Sequence, residues 1–349
     1  MKLKKDIFKI HKPFKNKNIL KIMNEKFVEA LDDFKNKKIL IIGDIILDEF
    51  IWGDIERVNP EQPTAPLVKV TNRTYRLGGA ANVANNVVSL GADCCLYGIT
   101  SEDIYGKKLK QMCLEKKIEL KNFYNKNPTL IKQRIMAHGQ QVTRIDFGED
   151  KFHKINKEIQ NQIINSLKQE IDNYDFIILS DYNKMLFDER LCCNLINLAN
   201  SKKINTLVDS KPVNLRYFKD CTIISPNKHE AELMTGIKYA NGKDVLIKMS
   251  MALSEIVNSK YSIITCGEDG AFVYDRENEK HKLIPTKAKD VKDVTGAGDT
   301  FAATLTLGLA SGLDIEQSAD LANYAAGVVV GKVGTATVNV NEIKEYMKK

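Results

Sequence analysis

From Lys38 onward the chain alternates short, wholly apolar runs with longer stretches of helical period. Ile39-Leu40-Ile41-Ile42 runs into Gly43-Asp44 in the manner of a strand buried on both faces. Cys94 to Ile99, Asp175 to Asp181, Asn205 to Asp209, Thr222 to Ser225 and Tyr261 to Thr265 repeat the form, and most of them end on a polar residue. Helices are expected over 79–90 and near 156–172, 188–200, 228–235 and 243–257. This alternation predicts an α/β fold with a mostly parallel sheet and helices on both of its faces. Ligands in such folds sit at the carboxyl ends of the strands, where Asp44, Asp181, Asp209 and Asn227 fall. Two strand-like segments break the alternation, Ile51 to Tyr75 and Leu130 to Phe147, the second turning near His138-Gly139. Together they predict a small accessory β-sheet, a lid over a site. Ahead of Lys38 only Leu20, Met23, Phe27 and Leu31 recur at helical spacing. Residues 1–37 are therefore expected as a solvated basic extension ending in a short helix, and 38–349 as the folded domain.

Composition narrows the function classes. The 349 residues are 43% hydrophobic and 28% charged, which is globular rather than disordered. The formal charge of +7 suggests a nucleic-acid partner until it is located. The first 38 residues carry 12 Lys against 5 acidic residues, so the remainder is neutral, which argues against a reader of phosphate backbones driven by bulk charge. No window approaches the roughly 18 apolar residues of a membrane span, and the Lys-rich start has no apolar core of a secretory signal. The seven Cys form no CxxC spacing, which supports neither a zinc site nor a disulfide framework and fits a reducing cytoplasm.

The strongest chemical signal is Asp293-Val-Thr-Gly296-Ala297-Gly298-Asp299-Thr300-Phe301, followed by small and apolar residues through Gly312. Gly296 and Gly298 permit a tight loop with bare amides. The loop opens a helix, whose positive end attracts phosphate oxygens. An acid beside an anion cradle repels phosphate, but it suits a base that takes the proton of a hydroxyl attacking a bound phosphoryl group. Two rival glycine motifs fail. Gly327-Val-Val-Val-Gly331-Lys332 lacks the P-loop spacing and its Ser/Thr, and Phe301 stands where a dinucleotide fingerprint needs Gly or Ala. Gly78-Gly79-Ala80-Ala81-Asn82 opens the 79–90 helix, where glycines allow close backbone approach and Asn82 can bond sugar hydroxyls. Asp44, at a strand end, either grips two hydroxyls or caps a neighbouring helix.

GGAANVA and GAGDTF in this order resemble the ribokinase or PfkB family of carbohydrate kinases, over roughly Lys38 to Glu342. The resemblance implies a ribokinase-like three-layer α/β sandwich with a β lid, ATP as co-substrate and Mg²⁺ as cofactor. It implies Asp299 as the catalytic base and the amides of Gly296, Ala297 and Gly298 as the anion hole. Asn227-Lys228-His229-Glu230 is similar to the family's NxxE motif, with Glu230 holding Mg²⁺ through its waters. Thr265, Gly267, Asn323 and Gly327 would flank the nucleotide, and Asp44, Gly78, Gly79 and Asn82 the sugar. Asp293 and the 331–334 loop resemble a monovalent-cation site, and paired lids imply a homodimer. Gln140-Gln-Val-Thr-Arg-Ile-Asp146 and Ala322 to Thr335 are similar to one branch, the heptose 7-phosphate kinases of lipopolysaccharide core synthesis. The expected reaction is phosphorylation of the anomeric hydroxyl, with another sugar or nucleoside kinase, or a silent sugar-phosphate sensor, as alternatives. Arg134, Arg144 and Lys184 are the candidates for the acceptor's own phosphate. Pro212 in Asp209-Ser-Lys211-Pro212 and Met185 in Asp181-Tyr-Asn-Lys-Met185 stand where the family favours Gly. The nucleotidyltransferase HxGH motif that many relatives carry does not occur, so that activity is expected on another chain.

Overall fold

The computed structural model describes residues 17–123, 128–148, 155–240, 242–332, 334 and 336–348. In chain order come α1 (Lys17–Asp33), β1 (Lys38–Gly43), β2 (Ile45–Asp54), β3 (Lys69–Gly79), α2 (Ala80–Ser89), β4 (Asp93–Gly98), α3 (Ile104–Glu115) and β5 (Glu119–Asn122). They are followed by β6 (Ile131–Ala137), β7 (Gln140–Phe147), α4 (Lys157–Glu170), β8 (Phe176–Ser180), α5 (Glu189–Ser201), β9 (Asn205–Asp209), β10 (Ile223–Ile224), α6 (Lys228–Thr235) and α7 (Lys243–Val257). The chain ends with β11 (Tyr261–Thr265), β12 (Ala271–Asp275), β13 (Lys280–Ile284), α8 (Ala297–Ala310), α9 (Ile315–Val329) and α10 (Val340–Met347).

Among the described residues the main sheet has nine strands in the order β13-β12-β11-β10-β9-β8-β1-β4-β5. All its pairings are parallel except β11 with β12 and β12 with β13. Successive β1 residues point to opposite faces. Ile39 and Ile41 join the core beneath α2, α8 and α9, while Leu40 and Ile42 join the core beneath α4, α5 and α7. The unbroken apolar run is thus the signature of a strand between two helical layers, and the α/β expectation holds.

The lid is a four-stranded sheet, β3-β2-β6-β7, turning at His138-Gly139. It starts earlier than expected, at Ile45 rather than Ile51. Ile45-Ile46-Leu47 is buried at the foot of β2 and continues the apolar pattern of β1, so hydropathy alone does not separate the two strands. The expected boundary at Lys38 also shifts. Residues 1–16 lie outside the described residues, but α1 is no solvated arm, because Phe27, Ala30, Leu31 and Phe34 are buried in the core. Phe27 meets Tyr324 of α9 edge-on at 6.4 Å, and Lys344 of α10 pairs with Asp32 at 2.5 Å. All seven Cys are free thiols; six are buried and Cys193 is exposed.

Candidate active site

The site forms where loops leave the carboxyl ends of β1, β8 and β9 and meet the start of α8. Gly296 adopts φ +82°, a left-handed turn that releases the chain into α8. The first turn of α8 opens on a cavity of about 210 Å³ lined by Tyr182, Asp209, Lys211, Asn227, Glu230, Thr265, Gly296, Gly298 and Asp299, with Ser225 and Ala302. Gly298 has open space on the side where a Cβ would project.

Asp299 is 8% exposed. Asn82 Nδ2 donates to its Oδ2 at 2.5 Å and the Tyr182 hydroxyl donates to Oδ1 at 3.1 Å. Burial pushes the carboxyl above its ordinary value, while these two bonds and the Lys211 charge pull it back. The helices behind it are locked together. Thr300 Oγ1 donates to Asn86 Oδ1 at 2.7 Å, and Asn86 Nδ2 donates to the Asn82 carbonyl at 2.9 Å. Asn82, expected on a sugar hydroxyl, here orients the acid.

Asp44 is buried, and its Oδ2 accepts the amides of Tyr182 at 2.9 Å and Lys184 at 3.0 Å. It anchors the loop that presents Tyr182. Burial, reinforced by Asp181, pushes its carboxyl up to about 7. The sign follows from linkage. A carboxyl raised from 3.8 to about 7 binds its proton more tightly in the folded state. Its contribution is complete below the unfolded value and is lost as pH rises through about 7. Melting temperatures from pH 4 to 8 are expected to fall less steeply for Asp44→Asn than for the parent protein. The same loop holds Asn183 at φ +57° and Met185 at φ +69°, both left-handed. Met185 is 46% exposed, so Met185→Gly removes strain with little lost packing. Denaturant unfolding is expected to show a gain of about 0.5–1 kcal/mol.

Gly78 and Gly79 are fixed by close approach. A Cβ on Gly78 would lie 2.5 Å from Asp48 Oδ2, and one on Gly79, at φ +58°, would lie 2.4 Å from the Asp44 carbonyl. That carbonyl accepts the Ala80 amide at 2.9 Å, seating α2 directly over β1.

On the opposite wall Asn227 and Glu230 form a reciprocal cap on α6, with bonds of 2.9 and 3.1 Å. Glu230 Oε1 also pairs with Lys211 Nζ at 2.6 Å. Burial and Glu230 push the Asp209 carboxyl up. Thr265 lines the same cavity, its amide bonded to the Pro226 carbonyl at 3.0 Å. Other expected nucleotide residues stand elsewhere. Lys228 pairs with Asp269 at 3.1 Å, His229 is exposed, and Gly267 is an exposed left-handed turn. Asn323 is buried under the segment after β13, donating to the Ile284 and Pro285 carbonyls at 3.1 and 3.2 Å, and Gly327 packs against Lys287 and Ala288.

Two of the expected phosphate-binding cations carry carboxylate partners already. Arg134 pairs with Asp48 at 2.6 Å and covers the Phe50 ring, and Arg144 pairs with Asp146 at 2.8 Å. The Lys184 amide is held by Asp44. Asp293 accepts the amides of Thr295 and Gly334, both at 2.9 Å. Of Tyr182, Asp209 and Lys211, all of which line the cavity, the sequence marks only Asp209 as a candidate, as an acid at a strand end. The signal was present in the strand-end positions of Asp181-Tyr182 and Asp209-Ser-Lys211. Among the described residues no group of three or more His, Cys, Asp or Glu is placed to hold a metal by itself. The carboxylates of Glu230 and Asp209 are hard oxygen donors that fit a Mg²⁺ arriving with its waters on a polyphosphate. No described helix is long and apolar enough to cross a membrane.

Comparison with known proteins bears on this geometry. The profile of the pfkB family carbohydrate kinases matches residues 36–342. Similar curated sequences include the "Bifunctional protein HldE" of Helicobacter hepaticus, 40% identical over 90% of this chain and 64% of that protein. That of Campylobacter concisus is 41% identical over 90% of this chain and 65% of that protein. The chain therefore spans about two thirds of the length of the curated relatives it matches. Among solved structures, phosphofructokinase-2 from Escherichia coli in complex with potassium superposes with a TM-score of 0.73 at 17% identity, over 90% of this chain and 99% of that one. Arabidopsis thaliana ribokinase complexed with ribose and ATP gives 0.69 at 17% identity, with the same coverage. The fold is ribokinase-like.

Proposed function

We propose a heptose 7-phosphate as the acceptor for this chain, which belongs to the pfkB family of carbohydrate kinases and is an ATP-dependent sugar kinase. The product is the heptose 1,7-bisphosphate, formed at the anomeric hydroxyl. The observation that carries the reading is the placement of Asp299 in the opening turn of α8, held by Asn82 and Tyr182 across a small cavity from Glu230. The long identity to the HldE proteins and the strings shared with heptose 7-phosphate kinases support the choice of acceptor.

The residues divide the work as follows. Asp299 accepts the proton of the 1-hydroxyl as that oxygen bonds to the terminal phosphorus of ATP, and the bond from that phosphorus to the bridging oxygen breaks to release ADP. The amides of Gly296 and Gly298 and the positive end of α8 receive the oxygens of the transferring group, whereas the Ala297 amide, expected in the same role, donates to the Val294 carbonyl at 3.2 Å. Asn82 and Tyr182 hold the carboxylate in one orientation before the sugar arrives, and the raised pKa of Asp299 brings it nearer the pH at which it takes and returns a proton. Bound Mg²⁺ supplies charge neutralisation on the nucleotide phosphates, and Glu230 and Asp209 are the residues that would hold its waters. The lid strands exclude water so that the sugar receives the phosphoryl group. A monovalent cation beside Asp293 and the 331–334 loop, and a homodimer paired through the lids, belong to the same proposal.

Glu230→Gln keeps the shape of the α6 cap but weakens the grip on hydrated cation. The Mg²⁺ concentration for half-maximal rate is expected to rise about tenfold, with the KM for sugar unchanged. The acceptor is tested by ADP release with Mg·ATP and a panel of heptose 7-phosphate, ribose and fructose 6-phosphate. The expected kcat/KM favours the heptose phosphate by about 100-fold or more. Preference for either other sugar overturns the assignment.

A further inference from the structure

The lid face next to the base carries a cation, Lys132, that closes no ion pair with a carboxylate among the described residues. Side chains opposite one another across neighbouring strands share a face. Asp48 lies opposite Arg76 and Lys132, Lys132 opposite Asp146, and Arg134 opposite Arg144. Arg134 and Arg144 are each closed by a carboxylate within 3 Å. Lys132 differs. It is half-buried, and among the described residues no carboxylate forms an ion pair with it. Its ammonium instead lies 5.6 Å from the centre of the Tyr182 ring, whose hydroxyl bonds Asp299. Burial holds the Lys132 amine below its ordinary value; Lys184 and Arg144 act in the same direction, against Asp48 and Asp146. A partly dehydrated cation whose two facing carboxylates are each engaged by an arginine is costly to maintain, and an anion entering between the lid and the 182–184 loop relieves that cost.

We infer that Lys132 is the residue that recognises the phosphate the acceptor already carries. The inference rests on the kinase reading above and names the determinant of its specificity. The ammonium and the catalytic base stand one tyrosine ring apart, which suits a sugar with its phosphate at one end and its reacting hydroxyl at the other. Arg134 and Arg144 serve a different purpose. They tie β6 to β2 and complete β7, so they shape the lid on which Lys132 is mounted.

The test compares the full-length protein with Lys132→Met and Lys132→Arg, using heptose 7-phosphate and the same heptose without its phosphate. Lys132→Met is expected to raise the KM for heptose 7-phosphate about 10–100-fold, the loss of one charge-assisted phosphate contact. The KM for ATP and the kcat/KM for the unphosphorylated heptose should change less than about threefold. Lys132→Arg should restore most of the lost affinity, and matching melting temperatures of all three proteins confirm folding. Equal losses on both sugars, or an unchanged KM for heptose 7-phosphate, would overturn the subsite while leaving the kinase assignment intact. A parent protein that turns over no heptose 7-phosphate sinks the acceptor assignment and the subsite together.

Discussion

Asp299→Asn is expected to lower kcat about 10²–10⁴-fold, with the KM values for ATP and sugar changed by no more than a few-fold. The substitution is close to isosteric. An Asn at 299 still presents an oxygen to Asn82 Nδ2, and its amide can face the Tyr182 oxygen, so the two bonds that position the side chain survive in altered polarity. The basicity is lost. The amides of the 296–298 turn, the end of α8 and the Lys211–Glu230 pair are untouched, so nucleotide binding should persist. A residual rate well above that of the uncatalysed reaction then measures what positioning and the anion hole contribute without a base. Steady-state kinetics at saturating Mg·ATP decide the matter. A loss below about tenfold removes Asp299 from the role of base.

Gly79→Ala is the second large effect, and it acts on folding. Two costs add at this position. The backbone sits at φ +58°, where a Cβ is strained, and that Cβ would lie 2.4 Å from the Asp44 carbonyl. The carbonyl cannot yield freely, because it caps α2 through the Ala80 amide. The expected destabilisation is about 2–4 kcal/mol. Gly91 closes the same helix and supplies the control. It has φ +93° and nothing within 4 Å of the point a Cβ would occupy, so Gly91→Ala should cost only about 1 kcal/mol. Denaturant unfolding of the two variants separates strain from collision. Equal costs would show that the chain around Asp44 gives way easily, and that the sugar side of the site is softer than the packing suggests.

What the sequence made legible were the features whose meaning is local. The run Ile39 to Ile42 reads as a doubly covered strand because strand period and burial act residue by residue. Gly296 to Asp299 reads as a glycine turn that opens a helix with an acid in its first turn, because the three are contiguous. Illegible were the features created by distant contacts. Tyr182 acquires its role from a partner 117 residues away, and Asn82 from one 217 residues away. Arg134 and Arg144 were natural phosphate ligands by residue type, but Arg134 reaches diagonally to Asp48 on β2 and Arg144 to Asp146 two residues along β7. Register is fixed by strand pairing and cannot be counted along the chain. The two arginines engage Asp48 and Asp146, so Lys132, which the register sets opposite both carboxylates, closes an ion pair with neither. At the amino end a lysine-rich composition hid the packing of Phe27, Leu31 and Phe34, whose spacing is helical but whose neighbours in α9 and α10 come about three hundred residues later.

The central claim is that the carboxylate at 299 delivers an anomeric oxygen to the terminal phosphorus of ATP, and the identity of the phosphorylated carbon tests it most directly. Phosphorus and proton NMR of the product from heptose 7-phosphate and Mg·ATP should show a new phosphate coupled to the anomeric proton, formed by the parent protein and not by Asp299→Asn on the same time scale. Phosphorylation at another carbon, or a product formed equally fast by both proteins, would contradict the account.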